Sequence, residues 1–228
     1  MTIIDSDVEE RTFSITMGQT DAAFSDVAPS VYIADLLSPA VTAAVLREFT
    51  ADDPWDQAQI AVLQKSVPGQ SEIVGVIDYD RRNATRIRLR DIDLASKPQT
   101  VQLLQMVQAV VCRFVTSEFG LNFDTIGGAE IIRYPEGGEF KPHTDTHRGN
   151  AERAFTVIVY LDGDFTGGET EFPRLDYRCQ PKAGRVLVFL PTELHAGRPV
   201  LSGEKTVLVF WVLFPGSKAQ PECETHRS

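Results

Sequence analysis

The chain has 228 residues, 43% hydrophobic and 24% charged, and 22 Lys and Arg against 32 Asp and Glu give a formal net charge of −10. That length can bury a core without staples. The acidic balance argues against nucleic acid or an anionic membrane as partner, since both select basic faces. Cys112, Cys179 and Cys223 are far apart and form no Cys-x-x-Cys pair, so they read as free thiols of a reducing, cytoplasmic compartment. The acidic opening MTIIDSDVEER does not read as a signal or transit peptide. No apolar run reaches the roughly 20 residues of a membrane span.

In chain order, residues 1–29 are acidic and weakly periodic, which predicts a flexible segment with one short strand near Thr12–Met17. Val31–Ile33 reads as a strand. Ser38 followed by Pro39 predicts a helix start, a capping hydroxyl before a proline in the first turn. Val41, Val45, Leu46 and Phe49 follow at helical spacing. ATRIRLRDIDL (84–94) alternates apolar and polar residues, so it predicts a strand with Arg86, Arg88 and Arg90 on one solvated face. From Pro98 to Glu118, Val101, Leu104, Val107, Val111 and Phe114 make an apolar stripe, and Gly120 stands just past its end. Beyond it, Ala129–Tyr134, Phe155–Leu161, Arg185–Leu190 and Thr206–Phe214 are short β-rich runs between glycine and proline turns. A helical first half and an all-β second half predict an α+β chain with a mainly β core, a sandwich or barrel. The expected organisation is a loose segment 1–29, one domain over 30–220 and a tail at 217–228. The domain divides into mixed helical support (30–125) and a β core (126–216).

HTDTHRGN (143–150) holds two of the four histidines. In extended backbone, residues i and i+2 point to one side, so His143 and Asp145 can converge on one cation. His147, His195 and His226 are the candidates for a third ligand. His195 follows a strong strand and can reach back across a sandwich, whereas His226 sits in the terminal tail. Two histidines and a carboxylate leave open positions on a metal, the arrangement of non-haem Fe(II) oxygenases. A His-Glu-x-x-His zinc helix is absent. Lys205 stands ten residues after His195, where a cation can face the far carboxylate of a dianionic co-substrate.

RYPEGGEFKPHTD, TVIVYLDGDFTGGETEF, PKAGRVLVF and HAGRPVLSGEK occur in this order. Together they resemble the 2-oxoglutarate- and Fe(II)-dependent oxygenases of the prolyl 4-hydroxylase-like branch. The likeness covers about residues 128–214, and SVYIADLLSPAVTAAVL resembles the family's entry strand and first helix. Residues 52–97 match poorly. The resemblance implies a double-stranded β-helix, or jelly-roll, supported by N-terminal helices. It implies that His143, Asp145 and His195 bind iron and that Lys205 pairs with the distal carboxylate of 2-oxoglutarate. Tyr134, and Thr156 or Tyr160, would add hydroxyls around that co-substrate. Arg153, Trp211 and His147 would border the substrate.

The implied cofactors are Fe(II), 2-oxoglutarate as co-substrate and O₂, with ascorbate as a candidate reductant. The implied reaction is hydroxylation of an aliphatic C–H, in a proline-like residue of a peptide or in a small amino-acid-derived metabolite, releasing succinate and CO₂. Because Asp145 is a carboxylate, hydroxylation is expected over chlorination; desaturation and cyclisation stay open. The expected partner is a small-molecule or peptidyl substrate, with the oligomer undetermined. The competing readings are a non-catalytic jelly-roll binding or sensor module and a cupin-like metalloenzyme that does not use 2-oxoglutarate.

Overall fold

The computed structural model describes residues 12–17, 20–67, 70–146 and 150–217. In chain order it holds β1 (Thr12–Met17), β2 (Thr20–Ala28), β3 (Val31–Asp35), α1 (Pro39–Leu46), β4 (Asp56–Gln57), β5 (Ile60–Val67), β6 (Gln70–Val76), β7 (Thr85–Arg88) and α2 (Pro98–Phe119). The second half holds β8 (Ile126–Tyr134), β9 (Phe140–His143), β10 (Arg153–Tyr160), β11 (Thr166–Gly167), β12 (Thr170–Phe172), β13 (Tyr177–Cys179), β14 (Arg185–Phe189), β15 (His195–Gly197), β16 (Val200–Ser202) and β17 (Lys205–Leu213). A nine-stranded sheet runs β1-β2-β3-β14-β10-β17-β8-β7-β4, and a four-stranded sheet runs β13-β12-β15-β9. Strands β5 and β6 form a separate hairpin.

The β-rich runs become the centre of the large sheet because both of their faces find apolar cover. Alternate residues of β17 sort to opposite sides. Leu208, Phe210 and Val212 pack in a core with α2, while Val207, Val209, Trp211 and Leu213 face the small sheet. Strand β10 divides the same way. Val157 and Val159 face the helical side, and Thr156, Ile158 and Tyr160 face the other. The result is a two-layer antiparallel sandwich of jelly-roll type, with α2 on the outer face of the large sheet.

Helix α2 starts at Pro98, whose missing N–H costs nothing in the first turn. Its exposed amides are satisfied from a distance. The Glu48 carboxylate accepts Gln99 N (2.7 Å), Thr100 N (2.9 Å) and the Thr100 hydroxyl (2.7 Å). The helix stops at Gly120, in left-handed geometry at φ +71°. Its buried stripe runs through Leu103, Val107, Val110, Val111, Phe114 and Val115, so Val101 and Leu104 lie at the margin of the expected stripe.

Several expectations need correction. Residues 1–29 are not loose throughout. β1 forms at the expected place, and β2 is a full member of the large sheet, paired with β3. Phe24 anchors it, fully buried and stacked on Phe114 at 4.1 Å between ring centroids. One aromatic in an acidic stretch gives no periodic signal, yet burying a Phe is worth roughly 1.5–3 kcal/mol. The first half is also not a helical support. Among the described residues its α-helices are α1 and α2, set among seven strands. Ser38 occupies the N-cap position but its hydroxyl makes no capping bond, and Val41 is exposed. The arginine strand ends at Arg88, where a 3₁₀ turn over Leu89–Asp91 interrupts the alternation. Cys112 and Cys179 are buried and free, and Cys223 lies outside the described residues. No helix among the described residues is long and apolar enough to cross a membrane.

Candidate metal and co-substrate site

His143 ends β9 and His195 opens β15, and the two are direct cross-strand partners. Register alone therefore puts their rings side by side, 4.2 Å between centroids. His143 Nδ1 lies 2.8 Å from Lys141 O, and His195 Nδ1 lies 3.0 Å from Glu193 O. A carbonyl can only accept, so each Nδ1 carries a proton and Nε2 is the atom left to bind a metal in the neutral ring. Both Nε2 atoms lie beside Asp145. His143 Nε2 is 3.6 Å from Oδ1 and His195 Nε2 is 3.8 Å from Oδ2. Both distances exceed a hydrogen bond and leave room for one cation. The three donor atoms lie within 4.8 Å of one another. Burial drives the His195 imidazole down to about 4, so at neutral pH it is the uncharged form that a metal needs.

Asp145 is held from several directions. Its backbone N–H donates to Pro191 O (2.8 Å), and its carbonyl accepts from Asn150 Nδ2 (2.8 Å) and Arg153 Nη1 (3.1 Å). Its Oδ2 accepts from Thr156 Oγ1 at 2.8 Å and from Trp211 Nε1 at 3.2 Å. Thr156 and Trp211 are themselves cross-strand partners on β10 and β17, so the grip is built into the large sheet. Burial alone would raise this carboxyl. The imidazoles of His195 and His143 and the Arg153 guanidinium reverse that and hold it well below the usual carboxylate range. An ionised Asp145 beside two imidazole nitrogens suits a hard-to-borderline divalent cation such as Fe(II).

Lys205 and Tyr134 are cross-strand partners on β17 and β8, and both line the same cavity as the triad, about 470 Å³ in volume. Lys205 is 4% exposed; its Nζ donates to Gly168 O at 2.6 Å and lies 5.3 Å from the Tyr134 ring centroid. Burial lowers it to about 8, an effect only partly offset by Cys179, Asp162 and Glu169. Gly168 is required here. At φ +67° it is left-handed, and a Cβ would come within 3.1 Å of the Lys205 stem.

The structure divides the other sequence candidates. Thr156 faces the cavity but spends its hydroxyl on Asp145. Tyr160 is fully buried with its hydroxyl 2.7 Å from Thr170 Oγ1, so Thr170, not Tyr160, presents a hydroxyl to the cavity. Trp211 lines the cavity, and the Arg153 guanidinium lies over its ring at 3.4 Å. His147 and His226 lie outside the described residues. Sequence reasoning missed the far wall. Arg86 pairs with Glu130 at 2.8 Å inside the cavity, and Phe140 stacks on His143 at 3.5 Å. The polar face of ATRIRLRD was the available signal for Arg86, but at Arg86 that face meets the cavity, not solvent.

Residues 129–213 match the 2OG-Fe(II) oxygenase superfamily. A candidate prolyl 4-hydroxylase of Acanthamoeba polyphaga mimivirus is 32% identical over 123 residues, 44% of this chain and 49% of that protein. Prolyl 4-hydroxylase 1 of Arabidopsis thaliana is 29% identical over 111 residues, 36% of this chain and 39% of that one. The matched region thus spans about half the length of these relatives or less. Among solved structures, a Trichoplax adhaerens prolyl hydroxylase in complex with a hypoxia inducible factor peptide superposes with TM-score 0.67 at 15% identity, over 83% of this chain and 88% of its own. A Pseudomonas putida prolyl-4-hydroxylase superposes with TM-score 0.61 at 20% identity, over 82% and 94%. At those identities the superpositions carry the fold alone. The sequence match makes residues 129–213 similar to the 2OG-Fe(II) oxygenase superfamily, and the relatives that share this region are prolyl 4-hydroxylases.

Proposed function

We propose that the chain is a 2-oxoglutarate- and Fe(II)-dependent hydroxylase. It acts on an aliphatic C–H of a proline-like residue in a peptide, or of a small amino-acid-derived metabolite, and releases succinate and CO₂. The carrying observation is a cavity holding two imidazole nitrogens and one carboxylate within 4.8 Å of one another, together with the buried Lys205. His143, Asp145 and His195 are the residues that would hold iron, and Lys205 would hold the distal carboxylate of 2-oxoglutarate. Tyr134 and Thr170 flank that end of the cavity. Iron with 2-oxoglutarate and O₂ supplies the oxidising chemistry, and the protein supplies position and dryness. Thr156 and Trp211 fix the Asp145 carboxylate, while Lys141 and Glu193 carbonyls fix the imidazole tautomers.

The test combines spectroscopy and turnover. Adding 2-oxoglutarate to the anaerobic Fe(II)-loaded protein should produce a visible charge-transfer band. His143→Ala and His195→Ala should each abolish that band and succinate release. A folded, iron-loaded wild type without the band, or unchanged turnover in either variant, would overturn the assignment.

A further inference from the structure

The cavity carries more positive charge than the iron chemistry uses. Besides Lys205, four arginines reach its lining: Arg81, Arg82, Arg86 and Arg153. Arg86 has Glu130, and Arg153 lies over Trp211 and donates to the Asp145 carbonyl. Arg81 is exposed at the rim. Arg82 differs from all of them. It is 7% exposed, and no carboxylate among the described residues forms an ion pair with it. Its Nη1 donates to Gln59 O at 3.0 Å, while its Nε is buried with no acceptor.

A guanidinium stays charged at any physiological pH, and burying one without a counter-charge is costly. The Phe140 ring, 4.5 Å away, offsets part of that cost. Among the described residues no acid pairs with it to offset the rest. Asp78, the carboxylate at the start of the same loop, spends Oδ1 on the backbone N–H groups of Asp80 and Arg81. In a chain of net charge −10, acids are plentiful, yet among the described residues none forms an ion pair with Arg82. The position is informative as well. Arg82 bridges to Phe140 beside the small sheet, and the same Phe140 stacks on His143. Lys205 belongs to the large sheet. The two buried cations therefore flank the triad on different layers, so one dianionic co-substrate held at Lys205 leaves Arg82 without its counter-ion.

We propose that Arg82, with Arg81 at the rim, anchors a carboxylate of the substrate itself, so that this site selects an anionic proline-like substrate. The inference rests on the oxygenase reading. The carboxylate can come from a free amino acid or from an acidic side chain next to proline in a peptide, since both present the same two oxygens to the guanidinium fork.

The probes are matched pairs: L-proline with L-prolinamide, and end-blocked Pro–Glu and Pro–Gln dipeptides. Each is titrated by calorimetry into the anaerobic Fe(II) and 2-oxoglutarate-loaded full chain, and succinate release is then measured in air. The expected result is that at least one carboxylate member binds tenfold or more tightly than its neutral partner. Arg82→Met should erase that preference, Arg82→Lys should keep part of it, and the apparent affinity for 2-oxoglutarate should stay unchanged in both. The responding pair identifies the source of the carboxylate. Equal binding, or no binding, of both members of every pair to the wild type overturns the proposal, and that comparison needs no variant to fold. So does a preference that survives Arg82→Met, or a loss of 2-oxoglutarate affinity in its place. Failure of 2-oxoglutarate to bind the wild type is a separate result, and it counts against the oxygenase reading.

Discussion

Lys205→Met should push stability and co-substrate binding in opposite directions. Burial takes the Lys205 ammonium from its ordinary 10.5 to about 8. At about 1.36 kcal/mol per tenfold change, holding that charge inside costs the fold about 3 kcal/mol at pH 7. Methionine is of similar length and removes that cost. It also leaves Gly168 O without its donor at 2.6 Å, a loss of about 1–3 kcal/mol. The variant should therefore be between neutral and ~2 kcal/mol more stable by urea denaturation at pH 7. The unfolded lysine binds a proton that the folded one has released between about pH 8 and 10.5. Stability of the wild type should accordingly rise with pH across that window, and the variant should lack that rise. Binding should move the other way. A hydrogen bond to a charged group is worth about 1.5–3 kcal/mol, so the apparent 2-oxoglutarate affinity should fall roughly 10- to 100-fold. Calorimetry and succinate release read that effect. A variant destabilised by more than about 1 kcal/mol would mean that Lys205 is a structural counter-ion. Unchanged 2-oxoglutarate affinity would mean that another group receives the carboxylate.

Thr156→Val removes the hydroxyl that donates to Asp145 Oδ2 and keeps the packing volume, so Fe(II) affinity or turnover should fall about 10- to 100-fold with little change in melting temperature; unchanged values would leave Trp211 as the sole support of that oxygen. Phe24→Ala empties a fully buried site stacked on Phe114 and should cost about 3–5 kcal/mol by urea denaturation, whereas a loss under ~1 kcal/mol would return Thr20–Ala28 to the loose segment expected from its composition. Gly184→Ala places a Cβ 2.0 Å from Leu37 O at a φ of +86°, where the Gly184 carbonyl also accepts Leu36 and Leu37 N–H. It should lower the melting temperature sharply and detach β3 from the start of β14. An unchanged melt would show that the β3–β14 junction can shift freely.

The parts of the fold that the sequence disclosed are those decided by neighbours four or fewer residues apart. Strand β17 shows itself as an unbroken apolar run because both of its faces are covered, and α2 shows itself by its stripe and by Gly120. His143 and Asp145 are legible because i+2 spacing in a strand fixes a common side. The pairing of His195 with His143 depends on the register of β15 against β9, which no local spacing encodes; the order of the linked motifs carried it. The cap of α2 by Glu48, fifty-one residues before Gln99, was equally out of reach. So was the target of Thr156, whose hydroxyl reads as a co-substrate ligand until Asp145 is seen beside it.

The arginine strand shows where such reading stops and what replaces it. Its alternation was correct: Ile87 packs in the helical core, and Arg86 points the opposite way. A polar strand face says only that the face avoids the apolar core. Whether it meets bulk water or a wet cavity depends on the layer laid over it, and that is a tertiary fact. Arg86 and Arg88 share a face, yet Arg88 is near the edge with Asp91 at 2.6 Å while Arg86 is enclosed with Glu130. Inside a cavity, counter-charge becomes the useful measure, because solvent no longer screens an unmatched group. Arg86, Lys97 and Arg185 each have a carboxylate within 2.8 Å. Arg82 is buried as deeply as these and has none among the described residues, which makes its environment incomplete in a way that a bound anion would complete.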